Sequence, residues 1–262
     1  MGSTVDAMTS DSRRTAALAV ATAANLAGWH DLMLRSLGHA TEHEAGLWLT
    51  PERVPHIFFS AIAMRPDASS EACSTRTDTS SWIAACDPWS DLALSGGGFL
   101  VEGDHPWMVR QPGAVDVAAT LGLEVQRVLD ADGLADFEQA SAIGFGSAPQ
   151  PPFTWHAPSV LADPRLHIWR GRFDGRTVST SMSFVAAGVV GVYSVSTLPE
   201  YRHRGYAAAL TRAAISADPS LPSVLQPSSM AEPLYRQLGY ARFTSFRTWV
   251  RPAGPDTNRS TP

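Results

Sequence analysis

The segment from Gly191 to Thr211, Gly-Val-Tyr-Ser-Val-Ser-Thr-Leu-Pro-Glu-Tyr-Arg-His-Arg-Gly-Tyr-Ala-Ala-Ala-Leu-Thr, constrains the fold more than any other. A strand-like run leads into a short turn, and the turn opens a helix at Gly205. The unpaired N–H groups and the dipole of a helix start attract anions. Gly205 removes the side chain where a phosphate would approach the backbone, and Ala207 keeps the next turn small. Arg202, His203 and Arg204 gather positive charge here, in a chain whose 20 basic and 25 acidic residues leave a formal charge of −5. The ligand that suits this geometry is a diphosphate.

The elements around this turn read as mixed α/β. Strands are expected at Leu123–Val128, Leu166–Arg172, Thr177–Ala186 and Val189–Thr197, with a helix from Asp132 to Gly144 and a proline-rich loop at 149–158. Asp174-Gly175 and Ala187-Gly188 separate the last three strands, and Asp-Gly between strand-like runs signals a hairpin. After the helix at 205–216 come a short strand at Val224–Gln226, a helix at Ala231–Leu238 and a strand at Phe243–Val250. Antiparallel hairpins, rather than regular βαβ alternation, set this half apart.

The first half has its own pattern. Ala16–Leu37 carries an apolar stripe (Leu18, Leu26, Trp29, Met33, Leu37) broken by Thr22, and Gly38 stops the helix. Leu47–Leu49 and His56–Met64 read as strands, Pro66–Ser81 as a loop, and Trp82–Arg110 as strand, short helix, glycine turn and strand. Gln111-Pro112-Gly113 is the expected boundary. The chain thus divides into a loose tail at 1–14, an N-terminal α/β lobe at 15–113, a second domain at 122–252 and a loose tail at 253–262.

Composition excludes several functions. There is no lysine, so Schiff-base chemistry, pyridoxal phosphate attachment and a P-loop are ruled out. Net acidity argues against nucleic acid as a partner. No apolar run reaches membrane-spanning length, and the start does not read as a signal peptide, so a cytoplasmic location is expected. Cys73 and Cys86 form neither a metal-ligand spacing nor a disulfide framework, and no metal is expected.

Together with Pro199-Glu200 before it and the aliphatic helix after it, Arg202-x-x-Gly205-x-Ala207 resembles the acetyl-CoA-binding motif of the GNAT superfamily of N-acetyltransferases. A second segment, Ser228-Ser-Met-Ala231-Glu-Pro-Leu234-Tyr235-Arg-Gln-Leu238-Gly239-Tyr240, resembles that family's N-x-x-A-x-x-L-Y-x-x-L-G-F signature in the required order. Ser228 stands where asparagine is usual, and Tyr240 replaces phenylalanine. The resemblance implies a mainly antiparallel sheet flanked by helices, with acetyl-CoA as co-substrate. It implies that Arg202, His203, Arg204, Gly205, Tyr206 and Ala207 hold the diphosphate. The pantetheine arm then pairs with backbone near Val195 and Thr197 and passes Ser228.

The implied reaction is direct attack of an amine, on a small molecule or peptide, upon the thioester in a ternary complex. Tyr235 would meet the departing thiolate, whose conjugate acid has a pKa of about 8.5. The general base is unassigned: Glu200, His167 and Glu232 are candidates, and neither Val189–Thr197 nor Val224–Ser229 contains a carboxylate. A non-catalytic acyl-CoA sensor or scaffold is the alternative, with O-acylation or a longer acyl donor as a third reading. The first half resembles a degenerate GNAT-like lobe; an unrelated α/β cap and a lobe that builds a homodimer are the other readings.

Overall fold

The computed structural model describes residues 2–78, 82–116 and 120–252. The chain forms two compact units, one built from Met1–Trp107 with Phe243–Pro262 and the other from Met108–Arg242. The sequence pattern divides the chain once, at Gln111–Gly113, whereas the contacts divide it at Trp107/Met108 and again at Arg242/Phe243. The physical reason is strand pairing: the last strand hydrogen-bonds with Ile83–Asp87, far back in the sequence. The tail read at 253–262 lies outside the described residues.

In the first unit, α1 (Gly2–Ser36) precedes β1 (Glu42–Glu44), β2 (Leu47–Leu49) and β3 (Ala61–Ala63). Then come α2 (Ser70–Arg76), β4 (Ile83–Asp87), a 3-10 turn at Ser95–Gly97 and the start of β5 (Leu100–Arg110). Pairing is antiparallel for β1–β2 and β2–β3, parallel for β3–β4, and antiparallel for β4 with the final strand. Strand alternation sends side chains to opposite faces. Leu47 and Leu49 therefore pack with Ala72 and Cys73 of α2, while Trp48 meets His30 of α1.

Three expectations change here. Helix α1 begins at Gly2, inside the stretch read as a tail; neither proline nor glycine lies between Gly2 and Gly28 to stop it. The strand expected at 56–64 shrinks to Ala61–Ala63, because a turn joining the Phe58 N–H to the Pro55 carbonyl occupies its first half. The loop expected at 66–81 contains α2, whose first turn is capped by the Ser69 hydroxyl accepting from the Ala72 N–H.

The second unit runs β6 (Glu124–Arg127), α3 (Ala131–Gly144), a 3-10 turn (Pro158–Ala162), β7 (Leu166–Phe173), β8 (Arg176–Ala186) and β9 (Val189–Thr197). It continues with α4 (Tyr206–Ile215), β10 (Ser223–Leu225), α5 (Glu232–Gln237) and the start of β11 (Ala241–Arg251). Strands β6 to β9 form an antiparallel meander. Its two hairpins turn on Asp174-Gly175 and Ala187-Gly188, each with positive φ at both residues. Strand β10 joins β9 in parallel, and the end of β5 joins β10 antiparallel. Helix α3 lies on one face, so close that a Cβ on Gly144 would fall 2.5 Å from Ser196 Oγ. Helix α4 lies on the other, where Ser181 Oγ donates to the Leu210 carbonyl.

Candidate coenzyme site

Strand β9 is irregular in two ways. Met182 pairs with Tyr193 but Thr180 pairs with Ser196, so two residues of β9 face one of β8. This β-bulge centres on Ser194, whose φ is +52°, and it takes nearby backbone groups out of the ladder. A hydroxyl network holds it: Thr180 Oγ1 donates to the Ser194 carbonyl (2.9 Å) and Ser179 Oγ to the Ser196 carbonyl (2.7 Å). Ser179 Oγ also meets Thr197 Oγ1 at 2.9 Å. Beyond the bulge β9 has no registered partner on its other side among the described residues, where its pairing with β10 covers Val190 and Gly191.

The open edge of β9 faces a cluster that includes Val192, Leu225, Tyr235 and Tyr240, with Val195 packed against it. Tyr235 is buried and lies edge-on to Tyr240, ring centroids 5.8 Å apart. Burial pushes its phenol up to about 12, so it remains a neutral O–H donor throughout the physiological range. Tyr240 is also raised by burial, and its hydroxyl is joined to Ser223 Oγ at 2.6 Å. The serine where asparagine is usual, Ser228, is exposed, and its hydroxyl accepts from the Ala231 N–H at 3.3 Å, capping the turn into α5.

The turn after β9 runs through a 3-10 segment (Pro199–Tyr201) to α4. His203 and Gly205 have left-handed backbones, φ +62° and +80°, on either side of Arg204. Gly205 is the N-cap of α4 and offers no side chain to it, and the first turn has no acidic residue. The leading N–H groups of α4 are thereby left for an outside acceptor.

The three basic residues of the turn do different things. Arg202 is directed inward: its guanidinium donates to the Gly144 carbonyl (2.9 Å) and the Thr197 carbonyl (3.3 Å). It therefore fastens the turn to the end of α3 rather than extending toward an anion. Arg204 is exposed and lies over Tyr201, 5.2 Å from the ring centre. His203 is exposed. Tyr206 is buried, while Ala207 is half-buried and its carbonyl accepts from Thr211 Oγ1.

None of the three base candidates stands free beside Tyr235. Glu232 is held by Arg242 and Arg236, whose hydrogen bonds bring its carboxyl down to about 2. Glu200 is exposed and pairs with Arg176 at 3.2 Å. His167 is shifted down by burial and the Arg127 charge, and its Nε2 sits 3.2 Å from the Pro164 carbonyl. The sequence pattern missed Glu138, a buried carboxylate of α3 that accepts from the N–H groups of Thr154, Trp155 and His156. Those three contacts tie the proline-rich loop to α3. They left no pattern to detect, because the partners lie about sixteen residues apart in an irregular loop.

Comparison with known proteins returns fold rather than close kinship. No family model matches the sequence, and no curated protein matches it. Among solved structures, a GCN5-related N-acetyltransferase from Kribbella flavida is 22% identical over 87% of this chain and 96% of that one, with a TM-score of 0.61. A GCN5-related N-acetyltransferase from Sphaerobacter thermophilus is 17% identical, covering 73% of this chain and 67% of its own, at TM-score 0.51. A functionally unknown conserved protein from Staphylococcus epidermidis is 11% identical over 82% and 95%, at 0.57. The architecture is thus a mixed α/β, mostly antiparallel sheet flanked by helices. The chain is a GNAT-fold protein.

Proposed function

We propose that the protein is an acetyltransferase that moves the acetyl group of acetyl-CoA to an amine of a small molecule or peptide, by direct attack in a ternary complex. One observation carries this reading. The bulged edge of β9 lies between the cluster that holds Tyr235, against which Val195 packs, and the uncapped start of α4 that follows it in the chain. A thioester on a long flexible arm that ends in a diphosphate fits that track. The arm would pair with backbone near Val195 and Thr197 and pass Ser228. The diphosphate would take the N–H groups at Gly205, Tyr206 and Ala207, with His203 and Arg204 beside it, while Arg202 shapes the turn. The fold's solved relatives named as N-acetyltransferases support the same chemistry.

In this mechanism the neutral amine nitrogen bonds to the carbonyl carbon, the carbon–sulfur bond breaks, the sulfur leaves as a thiolate, and the proton lost from nitrogen passes to water. With its phenol near 12 and the thiol near about 8.5, Tyr235 stabilises that thiolate chiefly by hydrogen bonding rather than by full proton transfer. Turnover of acetyl-CoA against an amine panel tests the reading. A second reading, a non-catalytic acyl-CoA sensor, is favoured by the base candidates: both carboxylates, the exposed Glu200 and the buried Glu232, are tied to arginines. Tight CoA binding without transfer to any amine would select it. We read the first unit as a GNAT-like lobe without a diphosphate site, because its strand pairing repeats that of the second.

A further inference from the structure

We propose that Thr120, from the connection between β5 and β6, is a further ligand of the diphosphate, an inference that rests on the coenzyme reading above. Built onto Gly205, a Cβ would meet one non-neighbouring side chain within 4 Å among the described residues, that of Thr120, whose Cγ2 would lie 3.9 Å away. The connection is fixed near this point, since the Thr120 carbonyl accepts from the Leu123 N–H at 3.0 Å. Its earlier part is fixed too: the Gly113 N–H donates to the Pro219 carbonyl just past α4, and Arg110 donates to the carbonyls of Gln111, Gly113 and Ala114. Val115 packs against the cluster that holds Tyr235. The connection therefore touches α4 beyond its C-terminus at Pro219 and beside its N-cap at Gly205.

Thr120 is half-buried, and its hydroxyl has no hydrogen-bond partner among the described residues. The N-cap it lies beside supplies no side-chain acceptor of its own. The Thr120 hydroxyl shares its Cβ with that Cγ2, so rotation about χ1 can turn it toward an anion seated on the first N–H groups of α4, where it can donate as they do. An alternative role is chemically distinct. If Thr120 accepted from the helix instead, it would be a cap contributed from a distant segment, competing with the anion.

Calorimetric titration of CoA and of pantetheine, which has no phosphate, separates these roles. Thr120→Val keeps the shape and removes the hydroxyl. It should weaken CoA binding by about tenfold and leave pantetheine unchanged. Thr120→Ser, which keeps the hydroxyl, should bind CoA within about twofold of the parent protein. CoA bound equally by Thr120→Val, or more tightly, would overturn the proposal, the second result marking Thr120 as a competing cap. Gly205→Glu in the same series tells the two failures apart. If it loses CoA while Thr120→Val does not, only the Thr120 assignment falls; if it binds CoA normally, the diphosphate reading falls with it.

Discussion

Each unit contains a parallel strand pair linked by a helix, β3–α2–β4 in the first and β9–α4–β10 in the second. In both, only two residues per strand are in register: Ala61 with Ala85 and Ile62 with Cys86, Val190 with Ser223 and Gly191 with Val224. Both pairs then continue into an antiparallel strand, β11 for β4 and the end of β5 for β10. The helix starts differ in chemistry. Helix α2 begins at Ser69, whose hydroxyl caps the Ala72 N–H, and it has Glu71 in its first turn. Helix α4 begins at left-handed Gly205, with neither a side-chain cap nor a carboxylate. A capped, acidic helix start satisfies its own donors and repels phosphate; an uncapped neutral one leaves both the donors and the dipole for a ligand. The same topological junction thus starts with its helix donors satisfied in one unit and left open in the other.

The strongest way to break this contrast is Gly205→Glu. A glutamate there must adopt a φ near +80° and brings a negative charge to the diphosphate position. CoA affinity should fall by about 10³-fold. Calorimetry on the folded variant giving the parent affinity would move the nucleotide away from α4.

Next in size is Tyr235→Phe. The hydroxyl interaction grows only as sulfur takes up charge, so it acts on the transition state rather than on bound acetyl-CoA. The ring packing against Tyr240 is kept. The transfer rate should drop by about 10²-fold, with CoA affinity and melting temperature unchanged. A variant with the parent kcat would make Tyr235 a packing residue.

The units should also respond to opposite ends of the pH scale. In the first, burial lowers His30 to about 4; its Nδ1 lies against the Leu26 carbonyl and its Nε2 accepts from the Phe59 N–H. The folded state keeps His30 neutral while the unfolded chain, at about 6.5, takes up a proton, so stability is lost as pH falls from about 6.5 toward 4. The loss should be on the order of 3 kcal/mol at its largest. In the second unit, the phenol of Tyr235 is raised, so its stability is lost as pH climbs past about 10 toward 12. Hydrogen exchange followed at pH 4.5 and at pH 7 should show faster opening of α1 and β3 in acid, and His30→Gln should remove that pH dependence. An acid response confined to β6–β10 would contradict the assignment.

Much of the second unit was legible in sequence because its signals are local. Asp174-Gly175 marked a hairpin, Gly205 a helix start, and the strands between them are long, eleven and nine residues. The first unit was harder to read. Strand β2 was read at Leu47–Leu49, but β1 was not expected and β3 is shorter than its reading, since three residues are too few for a period to register; Ser69-Ser70 in a polar stretch looks like a loop until the cap is seen. The exchange of final strands could not be read, since Trp249 opposite Ala85 is a pairing across most of the chain. Around the turn, the uncapped helix start at Gly205 was legible and the duties of the neighbouring side chains were not. Arg202 carries the charge a phosphate wants, yet two carbonyls take its guanidinium.

The smallest expected effect tests the other arm of the comparison. Ser69→Ala removes the hydroxyl that satisfies the Ala72 N–H at 3.1 Å and leaves that donor to water or to no partner. Loss of such a cap costs about 1 kcal/mol of stability. Helix α2 packs Ala72 and Cys73 into the core of the first unit, so that cost should appear in chemical denaturation as a shift in midpoint without a change in slope. CoA affinity should be unchanged, because Glu71 still opposes an anion at that helix start and the donors of α4 are untouched. Ser69→Ala with Glu71→Gln removes both obstacles, and it still should not bind CoA: α2 follows a strand of three buried residues, with no open, bulged edge to carry the pantetheine arm. Measurable CoA binding at the first unit of that double variant would show that the N-cap alone makes the site. The parent affinity at the second unit, with none at the first, would show that the helix start needs the bulged strand before it.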